Sequence, residues 1–248
     1  MPHHTCVFSA SVTNGTEGDV TAVTDQILPV QNNHFLPQQD FPILYAAACG
    51  LNLSRARLVT PTFRAMTTPF IRPISNTAAL QYPQRFVNLS QESLIARRLE
   101  ELQVNAVHSD AAPQRVTAVL GLQTGIQAAP LGPNYTLRGT SSTAATANAW
   151  SDVSVTWQDT LPQGVYAVVG GEVFSATGIC WRLILENQYF RPGGLSVNAL
   201  TNGAAELFRT GGLGEWGRFN NNAYPNVQVF ASAADATHEF YLDLVKVG

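Results

Sequence analysis

Short apolar runs, alternating or continuous, recur along the 248 residues and are broken every few positions by Gly, Pro and Asn. In ICWRLILE, Ile179, Trp181, Leu183 and Leu185 fall on one side and Cys180, Arg182, Ile184 and Glu186 on the other. That period of two predicts a strand with one buried face. VSVTW sets Val153, Val155 and Trp157 on one face in the same way. GVYAVVGG and RVTAVLGL are apolar on both faces, as in strands covered from both sides. TNGTEGD, APLGPN, RPGG and NNNAYPN supply turn chemistry between such runs. One stretch, SQESLIARRLEELQ, fits a short helix, with Ser90 as cap and Leu94, Ile95, Leu99 and Leu102 at helical spacing. A loop running into a strand near Leu102 is the alternative. The remainder reads as many short strands joined by polar loops, which predicts an all-β sandwich or barrel.

The chain also repeats itself. QVNAVHSDAAPQRVTAVLGL (residues 103–122) and QVFASAADATHEFYLDLVKV (residues 228–247) share Gln, Val, Ala, Asp and Ala at matching positions, 125 residues apart. LPQ recurs at Leu36 and Leu161, and RLV at Arg57 matches RLI at Arg182, both with the same 125-residue shift. YAAACG from Tyr45 resembles YAVVGG from Tyr166 at a shift of 121, and FIRP and FRP end at Pro73 and Pro192, 119 apart. Arg85-Phe86 and Arg218-Phe219 correspond at a shift of 133. Insertions in surface loops account for such variation. A period of about 120 residues exceeds that of solenoids and propellers, so each copy is a whole domain of roughly eight strands. The expected division is 1–127 and 128–248, with AAPLGPN as the linker. Eight short strands with uneven loops suit the jelly roll.

Composition changes the picture in one respect. Only 12% of residues are charged, about half the ~25% of an ordinary soluble domain. Every basic residue except Lys246 is an arginine. Protein-protein interfaces are depleted in Lys, Glu and Asp and enriched in Arg and aromatics, so much of this surface is expected to face other protein. A net charge of −3 with no basic arm gives no footprint for direct nucleic-acid binding. The opening MPHHTCVFSAS lacks the basic and apolar regions of a signal peptide. Cys6, Cys49 and Cys180, without CxxC spacing, read as buried thiols in a reducing compartment.

The sequence holds no recognisable catalytic motif. It contains no G-x-S-x-G, no P-loop, no H-E-x-x-H and no EF-hand loop. A duplicated β-scaffold also describes two-domain cupins, but their H-x-H pair is missing from His3, His4, His34, His108 and His238, and Ala233 stands opposite His108 in the second copy. His3-His4 reads as a solvated end, and Glu100-Glu101 as a solvated charge pair. No cofactor, no metal and no enzymatic activity are expected.

Two fused jelly rolls, few charges, almost no lysine and no active site resemble the double jelly-roll major capsid proteins of icosahedral viruses and phages. The doubled segments at 103–122 and 228–247 and at Leu36 and Leu161 carry the likeness. It implies a structural coat protein located in the virion and assembled in the host cytoplasm. Homotrimers of two-roll subunits would form pseudo-hexagonal blocks that tile a capsid. The partners it implies are copies of the chain itself, neighbouring capsomers, minor capsid proteins and an underlying membrane. The subunit-contact candidates lie in GGLGEWGRFNNNAYP: Trp216, Arg218, Phe219 and Tyr224, types enriched at binding hot spots. Phe190 and Arg191 are a second group. For Trp216 and Phe219 the alternative is that they cap the open end of the second roll. A carbohydrate-binding or host-attachment module is the rival function, with Trp150, Trp216 and Tyr224 as stacking platforms.

Overall fold

The computed structural model describes residues 3–64, 70–71, 86–89, 94–125, 128–131, 134–186, 188–197, 208–209 and 211–248. The chain divides into two compact units, Cys6–Gln123 on one hand and Met1–Thr5 with Thr124–Gly248 on the other. The division thus falls after Gln123, and the first residues of the chain count with the second unit.

In chain order the first half contributes β1 (His3–Val12), β2 (Gly18–Val20), β3 (Val30–Gln31), β4 (His34–Phe35), β5 (Phe41–Gly50) and β6 (Leu53–Val59). A four-residue helix, α1 (Pro61–Arg64), is followed by β7 (Phe70–Ile71), β8 (Val87–Asn88), β9 (Ile95–Ala96), β10 (Gln103–His108) and β11 (Gln114–Gln123). The second half contributes β12 (Asn134–Ser141), β13 (Trp150–Val153), β14 (Thr156–Trp157), β15 (Val165–Ser175) and β16 (Gly178–Ile184). It ends with β17 (Gly193–Leu195), β18 (Gly217–Asn220), β19 (Asn226–Ala231) and β20 (His238–Lys246).

The strand order identifies the fold. One sheet of the first unit runs β1-β11-β5-β8 and the other β2-β10-β6-β7. Setting aside β3, β4 and β9, eight principal strands remain, and their order is first-eighth-third-sixth and second-seventh-fourth-fifth. The second unit repeats this order with β12-β20-β15-β18 and β13-β19-β16-β17, and β14 extends the first of these sheets. Each is the jelly roll, two antiparallel sheets linked by Greek-key connections. The all-β, double jelly-roll class expected from the sequence therefore holds.

Residues 103–122 form the seventh and eighth strands of the first roll, and residues 228–247 the same strands of the second. Tyr45 and Tyr166 both lie on the third strand and Arg57 and Arg182 on the fourth; Leu36 and Leu161 each precede the third. The ladder joining third to eighth strand keeps its register across the two rolls around Tyr45 and Tyr166, and a bulge between Val168 and Gly170 then shifts it by one in the second roll. Tyr45 faces Gly121 in the first and Tyr166 faces Lys246 in the second, matching the shifts of 121 and 125. The ladder joining fourth to seventh strand has slipped by two residues, with Arg57 opposite Asn105 but Arg182 opposite Gln228. A slip of two leaves every side chain on its original face, so the core pattern survives it. Arg72, Pro73 and Arg85 lie outside the described residues.

Gly121 is glycine because of a close approach. The ring of Tyr45 lies across it, and a Cβ there would meet Tyr45 Cε1 at 2.0 Å. β5 and β11 are buried along nearly their whole length, and Phe8 packs edge-on against Phe35 at 4.7 Å. All three cysteines are buried thiols outside any disulfide, and burial pushes Cys49 far above its ordinary value.

Three local expectations need correction. Residues 94–103 are not helical: β9 occupies Ile95–Ala96, Leu99 takes a left-handed turn at φ 60°, and β10 begins at Gln103. The leucine spacing there serves a strand, a turn and a strand; Ser90 lies outside the described residues. VSVTW is not one strand, because the chain passes from β13 in one sheet to β14 in the other between Val153 and Thr156. In β16, Cys180 and Arg182 are as buried as the apolar face. The reason is a cover of residues 3–5 and Trp150, described below.

Candidate functional site

Residues 211–225 are tied to β15 by backbone hydrogen bonds, Gly211 N–H to Val169 C=O at 2.7 Å and Trp216 N–H to Val168 C=O at 2.7 Å. β18 then pairs with β15 along Val165–Val168. This attachment fixes which side chains point inward. Gly217 sits at φ 148° with the Gln188 side chain only 2.1 Å from where a Cβ would be, so only glycine turns the chain here. Trp216 is 0% exposed and packs against Trp181 at 5.6 Å and edge-on against His3 at 5.0 Å. Phe219 is enclosed between Tyr166 at 6.0 Å and Tyr224 at 5.8 Å. Both side chains are buried in the second roll: Phe219 because alternate residues of β18 face the interior, and Trp216, just before that strand, because its backbone bond to Val168 turns the ring onto Trp181.

The other candidates retain surface. The Arg218 side chain is half exposed and forms a two-pronged pair with Glu215 at 2.8 and 3.0 Å, a hydrogen bond that raises its pKa further. Tyr224 is partly exposed and stacks on Trp157 at 6.0 Å. Phe190 and Arg191 are partly exposed and continue into Tyr189, which is 61% exposed. Tyr189 was missed in the sequence because nothing in its local pattern separates it from Phe190. Leu131, fully exposed, is the other large apolar side chain of the second unit that stands out from the surface among the described residues.

Beside Leu131 opens a cleft of about 410 Å³ lined by Pro130, Tyr135, Val169, Arg209, Asp243 and Val245. Arg209 binds Asp243 with two bonds, 2.6 and 2.9 Å, and Glu172 with one of 2.7 Å. Its charge is therefore spent within the wall, and the hydrogen bonds it donates, to Asp243 first and then to Glu172, raise its pKa.

A buried polar cluster lies on the fourth strand. Arg182 is 2% exposed, its Nε donates to Gln228 Oε1 at 2.7 Å, and its guanidinium lies 4.0 Å from the ring centre of Trp150. Arg191 donates to the same Gln228 oxygen at 2.9 Å, and Gln228 Nε2 donates to Asp152 at 2.8 Å. Of the three stacking platforms of the rival reading, Trp216 is enclosed, one face of Trp150 carries Arg182 while Phe230 meets that ring edge-on at 5.6 Å, and Tyr224 keeps part of its surface.

The fold also assembles Ser175, Asp235 and His238, which lie too far apart in sequence to form a motif. Ser175 Oγ donates to Asp235 at 2.9 Å, His238 Nδ1 lies 3.1 Å from the same oxygen, and Gly178 N–H donates to it at 2.9 Å. A hydrolytic triad places histidine between serine and acid so that the imidazole takes the serine proton. Here serine sits in the middle and its proton goes to the acid. The set works as a clamp joining the turn after β15 to the loop before β20, since Asp235 also accepts from Thr177 and Thr237 N–H. Burial pushes Asp235 up, but the bonds from Thr237, Ser175 and Thr177 outweigh it and hold the carboxyl below its usual range. Burial lowers His238.

In the first unit, Glu100 accepts from the Thr62 hydroxyl at 2.6 Å and its backbone N–H at 3.3 Å, and Glu101 accepts from Asn32 at 3.0 Å. His34 bridges Asp19 at 2.6 Å and Glu101 at 3.5 Å. These pairs pin the β3–β4 hairpin and α1 to the roll. Among the described residues no group of three His, Cys, Asp or Glu is placed to hold a metal ion. His3 and His4 are not a solvated end: both are 0% exposed.

No protein-family model matches the chain, and no curated protein matches it. Among solved structures, the major capsid protein P2 of bacteriophage PM2 aligns over 98% of this chain and 98% of its own, at 8% identity and a TM-score of 0.24.

Proposed function

We propose that this chain is a structural coat subunit of an icosahedral virus or phage, which assembles as homotrimers that tile a capsid and works without catalysis or cofactor. The observation that carries this reading is the strand order: one chain contains two complete jelly rolls of identical eight-strand topology. Three such subunits hold six rolls of one kind, so a trimer supplies six-fold packing from a single polypeptide. The matched sequence segments fall on equivalent strands, and we take them as traces of one duplicated domain with a boundary between 123 and 128. The low charge and the use of arginine in place of lysine fit a surface walled in by copies of itself.

The contact residues we assign are those that keep surface: Tyr189, Phe190, Arg191, Arg218 and Tyr224, with Leu131 beside its cleft. Minor capsid proteins and a membrane under the shell are further partners, and no direct binding to nucleic acid is expected. The test is electron microscopy of the concentrated protein, in which flat-sided blocks with six-fold-like outline, or their sheets and shells, are expected. Monodisperse particles of single-chain size at every concentration would overturn the reading.

A further inference from the structure

We propose that the cleft beside Leu131 is a socket for the Leu131 side chain of a second copy of this chain, and that two copies related by a two-fold axis exchange this side chain reciprocally. The inference builds on the coat-subunit reading and names a contact of that subunit other than the one that closes its trimer.

The cleft lies wholly within the second unit, and its apolar lining comes from Val169 of β15, Leu244 and Val245 of β20 and Tyr135 of β12. Its volume of about 410 Å³ is ample for an isobutyl group. Two of the lining groups are ionised, Arg209 and Asp243, and they bind each other through the bonds of 2.6 and 2.9 Å. A charged guest meets a pair already closed on itself. An aliphatic side chain gains the apolar lining and leaves neither of these charges unmatched. Asn134 and Thr136, both exposed, give the opening a polar border, so the patch has the apolar centre and polar rim of a protein contact.

The chain itself carries the guest. A leucine exposed singly is ordinary, but Leu131 is fully exposed at the rim of this cleft. Knob and socket therefore share one patch, and that fixes the symmetry. In a ring of subunits two different patches meet, so a knob and its socket lie on different flanks of each copy. Where they lie side by side, a two-fold axis between them carries each knob to the other copy's socket, and both contacts form at once. Such a contact closes on itself and joins subunits in pairs. A trimer closed by other surfaces keeps this patch, three times over, for its neighbours.

The test is sedimentation velocity of the native chain, L131D and T136W over a range of concentrations. Both positions are exposed, so both variants are expected to fold as the native chain does, which circular dichroism checks. The native chain is expected to pass from a trimer of about 80 kDa, three chains of 26.7 kDa, to multiples of it as concentration rises. L131D is expected to keep the trimer and to need about 100-fold more protein for the further step, since each pair loses two buried leucines and gains two buried charges. T136W fills the socket from its rim and is expected to block the same step with Leu131 intact. A native dimer of about 53 kDa that L131D reduces to single chains would uphold the inference while refuting the trimer. The inference fails if the native chain stays a single chain or a trimer at every concentration, or if L131D breaks the trimer itself. It also fails if L131D or T136W associates as the native chain does. Should either variant misfold, the other decides.

Discussion

Replacing Trp216 with alanine separates a core residue from a contact residue. The side chain is 0% exposed and lies against Trp181 and His3. A buried indole removes up to about 250 Å² from water, which at about 25 cal/mol/Å² comes to about 6 kcal/mol as an upper bound. Truncations of this kind in packed cores cost about 3–5 kcal/mol. The indole Nε1 makes no hydrogen bond among the described residues, so no polar partner is stranded and the lower figure applies. W216A should therefore lose about 3 kcal/mol, and W216F about 1 kcal/mol, since phenylalanine restores most of the volume. The assay is favourable: Trp150, Trp157, Trp181 and Trp216 all lie in the second unit, so indole fluorescence during urea unfolding follows that unit alone. Three tryptophans remain in the variant as reporters. A W216A protein within about 1 kcal/mol of the native one, but with reduced self-association, would refute the core assignment and return Trp216 to the subunit contact.

The surface assignment has the opposite signature: Y189S should leave stability within about 0.5 kcal/mol, given 61% exposure, yet weaken self-association measured by light scattering. G121V should destabilise the first unit by about 3 kcal/mol or prevent its folding, because a Cβ there meets the Tyr45 ring at 2.0 Å; thermal unfolding followed by circular dichroism measures it. D235N should cost about 1 kcal/mol by weakening the bonds to Ser175, Thr177 and Thr237. Because the Asp235 carboxyl is held below its ordinary 3.8, its contribution is present above that pH and is lost as pH falls through the lower folded value. The variant should accordingly show a shallower loss of stability between pH 4 and pH 2 in urea titrations.

The fold class was legible because strand periodicity and a whole-domain repeat are both written in local sequence. The match at 103–122 and 228–247 lands on the seventh and eighth strands of each roll, most of whose positions are buried, and on the loop between them. Residues 94–103 misled for a physical reason: Leu94, Ile95, Leu99 and Leu102 have helical spacing, but Leu99 is exposed at a turn while Leu102 is buried, and pairing with Phe41–Pro42 overrides helix propensity. Arg182 looked like the polar side of an alternating strand, and its cover comes from residues 177 positions away, at Thr5. Trp216 and Phe219 were assigned by residue type alone, and type does not tell which face of β18, or of the turn that leads into it, meets the core. Ser175, Asp235 and His238 left no local trace, since the Greek-key path rather than spacing brings them together.

The mass of the protein in solution, by size-exclusion chromatography with light scattering at two concentrations and two salt strengths, tests the central claim most directly. A coat subunit built from two like rolls should elute at about 80 kDa, three times the 26.7 kDa chain, or as larger multiples of it. A single species of chain mass, unchanged up to high concentration at both salt strengths, would contradict it.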